Sequence, residues 1–109
     1  MVYRTARSSA SSGAIDFTVT PAAQWELYEI RVHLGAGGAA TNLTATLSAG
    51  AGSKHDEVLW TQAMSGVVNT TTTFDPPVRF THYADELDIA YLNGGAATYG
   101  VEVVYGLMI

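Results

Sequence analysis

The sequence has no cysteine, so disulfides, thiolate metal sites and cysteine nucleophiles are excluded together. No run approaches the roughly 18 apolar residues of a membrane span. The N-terminal stretch MVYRTARSSASSGA carries two arginines without an apolar segment behind them, so the expectation is a soluble protein with neither secretion signal nor anchor. Helical periodicity is nowhere sustained, and no repeat with a period of roughly 20–50 residues is present, which argues against solenoids and propellers. Basic residues are few, five against ten acidic ones. Two of the five, Arg4 and Arg7, precede the first acidic residue, Asp16, so from position 8 onward the formal charge is −7. A body of that sign repels phosphates, and neither a nucleic-acid nor a membrane partner is expected.

What remains is a chain of 109 residues, enough for one domain. A chain of this size removes about 60–65% of its unfolded surface from water and folds without staples. Residues 8–13, SSASSG, are small and polar with little to bury, so residues 1–13 are expected to form a flexible N-terminal arm and residues 14–109 the folded domain. From Ile15 onward, short runs rich in valine, isoleucine, threonine and aromatics alternate with glycine, proline and asparagine clusters. Strands are expected at residues 14–20, 24–34, 42–49, 57–64, 67–74, 78–83, 86–92 and 98–108. Gly35-Ala-Gly-Gly38, Asp75-Pro-Pro77 and Asn93-Gly-Gly95 are the turn signals, and Pro21 ends the first strand. The two glycosylation-type tripeptides, starting at Asn42 and Asn69, read as strand residues.

Alternation assigns the faces. Leu43, Ala45 and Leu47 share one side of their strand, with Thr44, Thr46 and Ser48 on the other; Leu87, Ile89 and Tyr91 repeat the pattern. In residues 24–34 the phase slips, because Trp25 and Leu27 are odd while Tyr28, Ile30, Val32 and Leu34 are even. A bulge near Leu27–Tyr28 reconciles the two halves. Eight closely spaced strands in so short a chain predict an all-β fold, a single antiparallel β-sandwich of jelly-roll type.

The stretch SAGAGSKHD, Ser48–Asp56, offers three kinds of chemistry and supports none strongly. A phosphate-binding loop requires Gly-Lys-Ser/Thr opening a helix, whereas here Ser53 separates Gly52 from Lys54 and a strand follows. A catalytic triad does not arise from neighbours on an extended segment, whose side chains point to opposite faces. Carboxylates for calcium exist at Asp56-Glu57 and at Asp85, Glu86 and Asp88, but without ligand-loop spacing, and the histidines lack a helical pair for zinc. No catalytic residue, metal or cofactor is therefore expected. The stretch reads as a hairpin loop whose tip presents Lys54 and His55 as candidate partner contacts. Tyr3, Arg4 and Arg7 are the corresponding candidates on the arm. Most tryptophans and tyrosines fit the alternation as core or edge residues, but a carbohydrate-binding surface would expose several rings together, and Trp60, Tyr83 and Tyr99 are the candidates for that.

The order of these signals resembles the small single-domain β-sandwich proteins of tailed-bacteriophage virions. The resemblance covers roughly residues 23–105. It rests on the strand Trp25-Glu-Leu-Tyr-Glu-Ile-Arg-Val-His-Leu34, the strand Asn-Leu-Thr-Ala-Thr-Leu at 42–47 and the turn Gly52 to Asp56. Pro-Pro-Val at 76–78, Asp-Glu-Leu-Asp-Ile-Ala-Tyr-x-Asn at 85–93 and Tyr-Gly-Val-Glu-Val at 99–103 complete it; where glycine is expected before the Asp-Glu-Leu turn, the chain has Ala84. The resemblance implies a non-enzymatic virion structural protein, foremost a capsid decoration or cement protein. Its expected partner is the major capsid protein or another virion protein, bound as a homo-oligomer, with a trimer favoured. A carbohydrate- or receptor-binding module of the tail or fibre is the alternative.

Overall fold

The computed structural model describes residues 2–108. Eight strands follow one another: β1 (Val2–Ala10), β2 (Ile15–Val19), β3 (Trp25–Leu34), β4 (Asn42–Ser48), β5 (Glu57–Ala63), β6 (Asn69–Phe80), β7 (Glu86–Tyr91) and β8 (Tyr99–Leu107). They form two four-stranded antiparallel sheets, ordered β1-β8-β3-β6 and β2-β7-β4-β5. This interleaved order, with the first strand beside the last, is that of a jelly roll, so the expected fold class is the one found. Among the described residues no helix is long and apolar enough to cross a membrane.

The core lies between the sheets and follows the alternation read from the sequence. Leu43 and Ala45 of β4, and Leu87, Ile89 and Tyr91 of β7, are buried against Leu27, Ile30, Val32, Leu34, Val101 and Val103 of the facing sheet. At one end, Trp25 stacks on its cross-strand neighbour Phe80, with ring centroids 3.9 Å apart, and meets Tyr105 edge-on at 5.3 Å. The β3 bulge is where the phase slip placed it. Leu27 pairs with Tyr105 and Glu29 with Val104, leaving Tyr28 as the extra residue between two core-facing halves.

Two expectations need correction. Val2–Ala10, expected as part of a flexible arm, is paired with β8 along its whole length, from Val2 opposite Leu107 to Ala10 opposite Tyr99. Backbone pairing does not require apolar side chains, and β8 presents the edge on which these residues pair. Only Val2, Ala6 and Ser8 of the strand are even half-buried, which is why its sequence does not look like a strand. Met1 lies outside the described residues. Second, the expected strands 67–74 and 78–83 are one strand, β6, and Asp75-Pro-Pro77 is not a turn between them. Leu27 pairs with Val78 and Glu29 with Thr73, so residues 74–77 bulge out of the ladder, where prolines lose no ladder hydrogen bond.

The connections are held by side chains bonded to backbone. Asn93, buried, donates from Nδ2 to the carbonyls of Gly13 (2.8 Å) and Ala97 (2.9 Å) and accepts the Ala97 N–H at Oδ1 (3.2 Å). Asp85, also buried, accepts the N–H groups of Gly50 at 2.8 Å and His82 at 3.1 Å. Ala84 keeps negative φ and donates to His82 Nδ1 at 3.0 Å, so that turn needs no glycine.

Replacing Trp25 by alanine removes the ring that joins Phe80 to Tyr105 and is expected to cost about 3–5 kcal/mol in urea unfolding. A Cβ at Gly38 would collide with the Met64 carbonyl and come within 3.1 Å of the Tyr91 hydroxyl, so Gly38→Ala should lower the midpoint while Gly100→Ala, with open space around it, should not.

Candidate functional site

Because β1, β8, β3 and β6 each alternate, the residues between their core positions form a continuous outer face. The register sets them in rows. Arg7, Glu102, Arg31 and Thr71 lie opposite one another across the four strands, and Ser9, Gly100, His33 and Asn69 form the next row. The charges within these rows are paired. Glu102 accepts from Arg7 Nε at 2.8 Å and from Arg31 Nη1 at 3.4 Å, so one carboxylate links β1 and β3 across β8. Arg31 also grips Glu29 with two bonds, Nε to Oε1 at 2.8 Å and Nη2 to Oε2 at 3.1 Å. The hydrogen bonds from Arg31, with a smaller contribution from its charge, hold the Glu29 carboxyl below the usual carboxylate range against the effect of partial burial. Both arginines are largely exposed, so these bridges orient the face more than they stabilise the fold.

Gly100 opens this face. With no side chain on the central strand β8 and no atom near where one would be, the sheet surface dips into a groove of about 410 Å³. Arg7 and Arg31 border it on one side, Ser9, His33 and Asn69 on the other. His33 and Asn69 are bonded to each other, Nδ1 to Oδ1, at 2.6 Å.

At the far end of the face the β3 bulge turns Tyr28 outward, 5.4 Å from the ring of Tyr3. Its hydroxyl donates to Glu26 at 3.0 Å, and Glu26 also receives Arg79 at 3.4 Å. Partial burial pushes the Tyr28 phenol up to about 12, helped by hydrogen bonds to Glu26 and Tyr3 and by the negative charge of Glu26.

The structure separates the residues expected as contacts. Tyr3 and Arg7 reach the outer face, and Arg4 lies on the same strand on the opposite side, exposed. Lys54 and His55 sit on an exposed 3-10 turn, Ser53–His55, at the tip of the β4–β5 hairpin in the other sheet. There Gly52 takes φ +121° and Asp56 accepts the Ala49 N–H at 2.7 Å, so SAGAGSKHD is a hairpin loop closed by its own residues. Among the described residues Arg4 and Lys54 are the basic side chains outside any ion pair.

The three rings considered for glycan binding do not share a face. Trp60, opposite Ala45 on β5, and Tyr99, at the start of β8, pack against the core. Tyr83 is exposed on the β6–β7 connection and stacks on His82 at 4.7 Å. Of the carboxylates considered for calcium, Asp85 is engaged with backbone as described, and Asp88 accepts from Thr18 Oγ1 at 2.8 Å.

Sequence reading missed Arg31, Glu102, Gly100, Asn69 and Tyr28 as members of one surface. The polar series Glu29, Arg31, His33 was visible as one strand face, but its partners come from strands about 35 to 70 residues away in sequence. No protein-family model and no curated protein matches the chain.

Ultraviolet titration of the six tyrosines should show one ionising near pH 12, and Tyr28→Phe should remove it. The folded phenol is raised, so the stabilisation is complete below the ordinary tyrosine value of 10.0 and is lost as pH climbs to about 12, where the unfolded chain releases the proton first. Uniform titration near the ordinary value would contradict this account.

Proposed function

We propose that the protein is a non-enzymatic structural protein of a tailed-bacteriophage virion, a decoration protein that binds the outside of the assembled shell as a symmetric homo-oligomer and ties neighbouring capsomers together. The observation that carries this reading is the distribution of charge on the jelly roll. A strand bearing Arg4 and Arg7 and no acidic residue forms a sheet edge on a body of −7. Such a strand is attracted to an acidic neighbour while the rest of the surface is repelled, which orients docking.

Three further features support it. The jelly roll is an architecture used by viral capsid proteins, although the fold by itself assigns no function. Several of the side chains weighed for chemistry are engaged structurally: His33 with Asn69, His82 with Ala84, Asp56 with Ala49, Asp85 with Gly50 and His82. The resemblance noted in residues 23–105 points the same way. Repetition on a symmetric shell lets weak individual contacts add through avidity.

Deleting the N-terminal residues would strip β1 from β8 and confuse docking with folding, so charge is the better probe. Protein added to capsids prepared without it should co-sediment to a fixed number of copies per capsomer. Arg4→Glu should weaken binding by about tenfold and increased salt should weaken it further, with the melting temperature unchanged. Lys54→Ala with His55→Ala measures the hairpin tip separately. Absence of saturable binding to capsids would refute the proposal.

A further inference from the structure

We infer that the free edge of β1 is a strand-addition site for an extended acidic segment of a partner protein. The inference deepens the decoration reading by naming the chemistry of the contact, and rests on that reading only for the partner's place on a shell.

A sandwich of this topology has four edge strands, β1 and β6 on one sheet and β2 and β5 on the other. Exposed edges invite unwanted pairing, and proteins blunt them with short length, bulges, prolines or charge. Three of the four are blunted in their backbone. β2 has five residues. β5 loses register against β4 where Ala45 pairs with Trp60 but Thr46 with Val58, which leaves Leu59 unpaired. β6 is broken by the bulge at residues 74–77, with Pro76 and Pro77 inside it. β1 has no such device. Its nine residues contain no proline or glycine and keep one unshifted register with β8 from end to end.

What guards β1 is charge alone. Arg4 is exposed and in no ion pair among the described residues, and Arg7, though bonded to Glu102, keeps most of its guanidinium in solvent. A second copy of β1 laid antiparallel would bring four guanidinium groups and no carboxylate to one ladder, so self-pairing is disfavoured. An incoming strand with carboxylates meets the reverse situation. Its backbone completes the ladder, and carboxylates an odd number of residues apart, which an extended strand turns to opposite faces, reach Arg4 on one side and Arg7 on the other. The groove over Gly100, bordered by Arg7 and Ser9, lies beside the added strand on the outer face and has room for one of its side chains. Tyr3, two-thirds exposed, is a ring of the kind that anchors interfaces at the strand's other end.

The test uses the intact protein and a fluorescent capped peptide in which adjacent pairs of glutamates are separated by pairs of threonines, so that both faces of the extended chain carry carboxylates. Controls are the same peptide with glutamine for glutamate and a version with proline at alternate positions. Saturable binding of the acidic peptide is expected, weakened about tenfold or more by either control and by Arg4→Glu or Arg7→Gln. Amide exchange of the bound protein should slow in Val2–Ala10 and not in β5 or β6. Equal binding of the proline peptide would mean electrostatic attraction without strand addition and overturn the inference, as would protection elsewhere or dimerisation of the free protein through β1. Loss of peptide binding with capsid binding retained defeats the strand-addition site and leaves the decoration role standing; the converse defeats the role and leaves the site.

Discussion

Tyr28 is one residue more than β8 can match, and the two faces of the first sheet depend on where it sits. Leu27 and Glu29 pair with consecutive residues of β8, so Tyr28 is the additional residue in the register and the chain rotates past it. Trp25 and Leu27 before it and Ile30, Val32 and Leu34 after it all reach the core. Without that extra residue one half of β3 would present its apolar side chains to water, since a shift of one residue exchanges the faces of a strand. The same rotation directs Glu29, Arg31 and His33 outward into line with Glu102 and Asn69, and it brings the Tyr28 ring to Tyr3. Core and candidate surface are thus two consequences of one backbone irregularity. On the other side of β3 the irregularity is larger, because residues 74–77 of β6 occupy the space opposite Tyr28.

The parts of the fold that were legible in the sequence are those that bury a face. β-rich runs between turn residues located seven of the strand regions. Alternation assigned the faces of residues 42–49 and 86–92 because burial demands a period of two, and the slip from odd to even positions in residues 24–34 located the bulge for the same reason. β1 was not legible. Its Val-Tyr-Arg-Thr-Ala-Arg-Ser-Ser-Ala sequence shows little burial, and its strand conformation comes from the edge that β8 presents nearly a hundred residues later. β6 was divided at Asp75-Pro-Pro77 because that composition signals a turn, and only pairing with β3 reveals a bulge that absorbs the prolines. The contact residues followed the same rule. Lys54 and His55 lie on a local hairpin and could be placed from sequence, whereas the Arg7–Glu102–Arg31 row needs a register that no local pattern contains.

The outer face joins opposite charges that the chain carries far apart. Arg7 supplies one of five basic residues to a carboxylate in the last strand, and Arg31 divides its donors between Glu29 and that same Glu102. Exposed bridges of this kind are screened and add little to stability. Their effect is positional. Arg31 is drawn toward two carboxylates and away from solution, while Arg7 has one and Arg4 none, so the availability of positive charge rises from the centre of the sheet to its β1 edge. An acidic protein thereby keeps a cationic border at β1 without building a basic patch that would attract nucleic acid.

That border matters because the connections are short and tied down. Asn93 joins Gly13 to Ala97, Asp85 joins Gly50 to His82, and the Tyr91 hydroxyl accepts the Ala39 N–H at 3.0 Å, each a buried or half-buried side chain satisfying backbone that the turns leave open. Loops anchored in this way cannot remodel cheaply around a ligand, since each displaced side chain would leave a buried polar group unpaired. Adaptable recognition through loops is therefore costly in this chain. Recognition by its pre-ordered surfaces, a sheet face and a sheet edge, requires no such rearrangement, and among the edges β1 alone is both long and uninterrupted. Charge on a regular edge is a selective guard: it repels a like strand and admits an opposite one, whereas proline or a bulge excludes both.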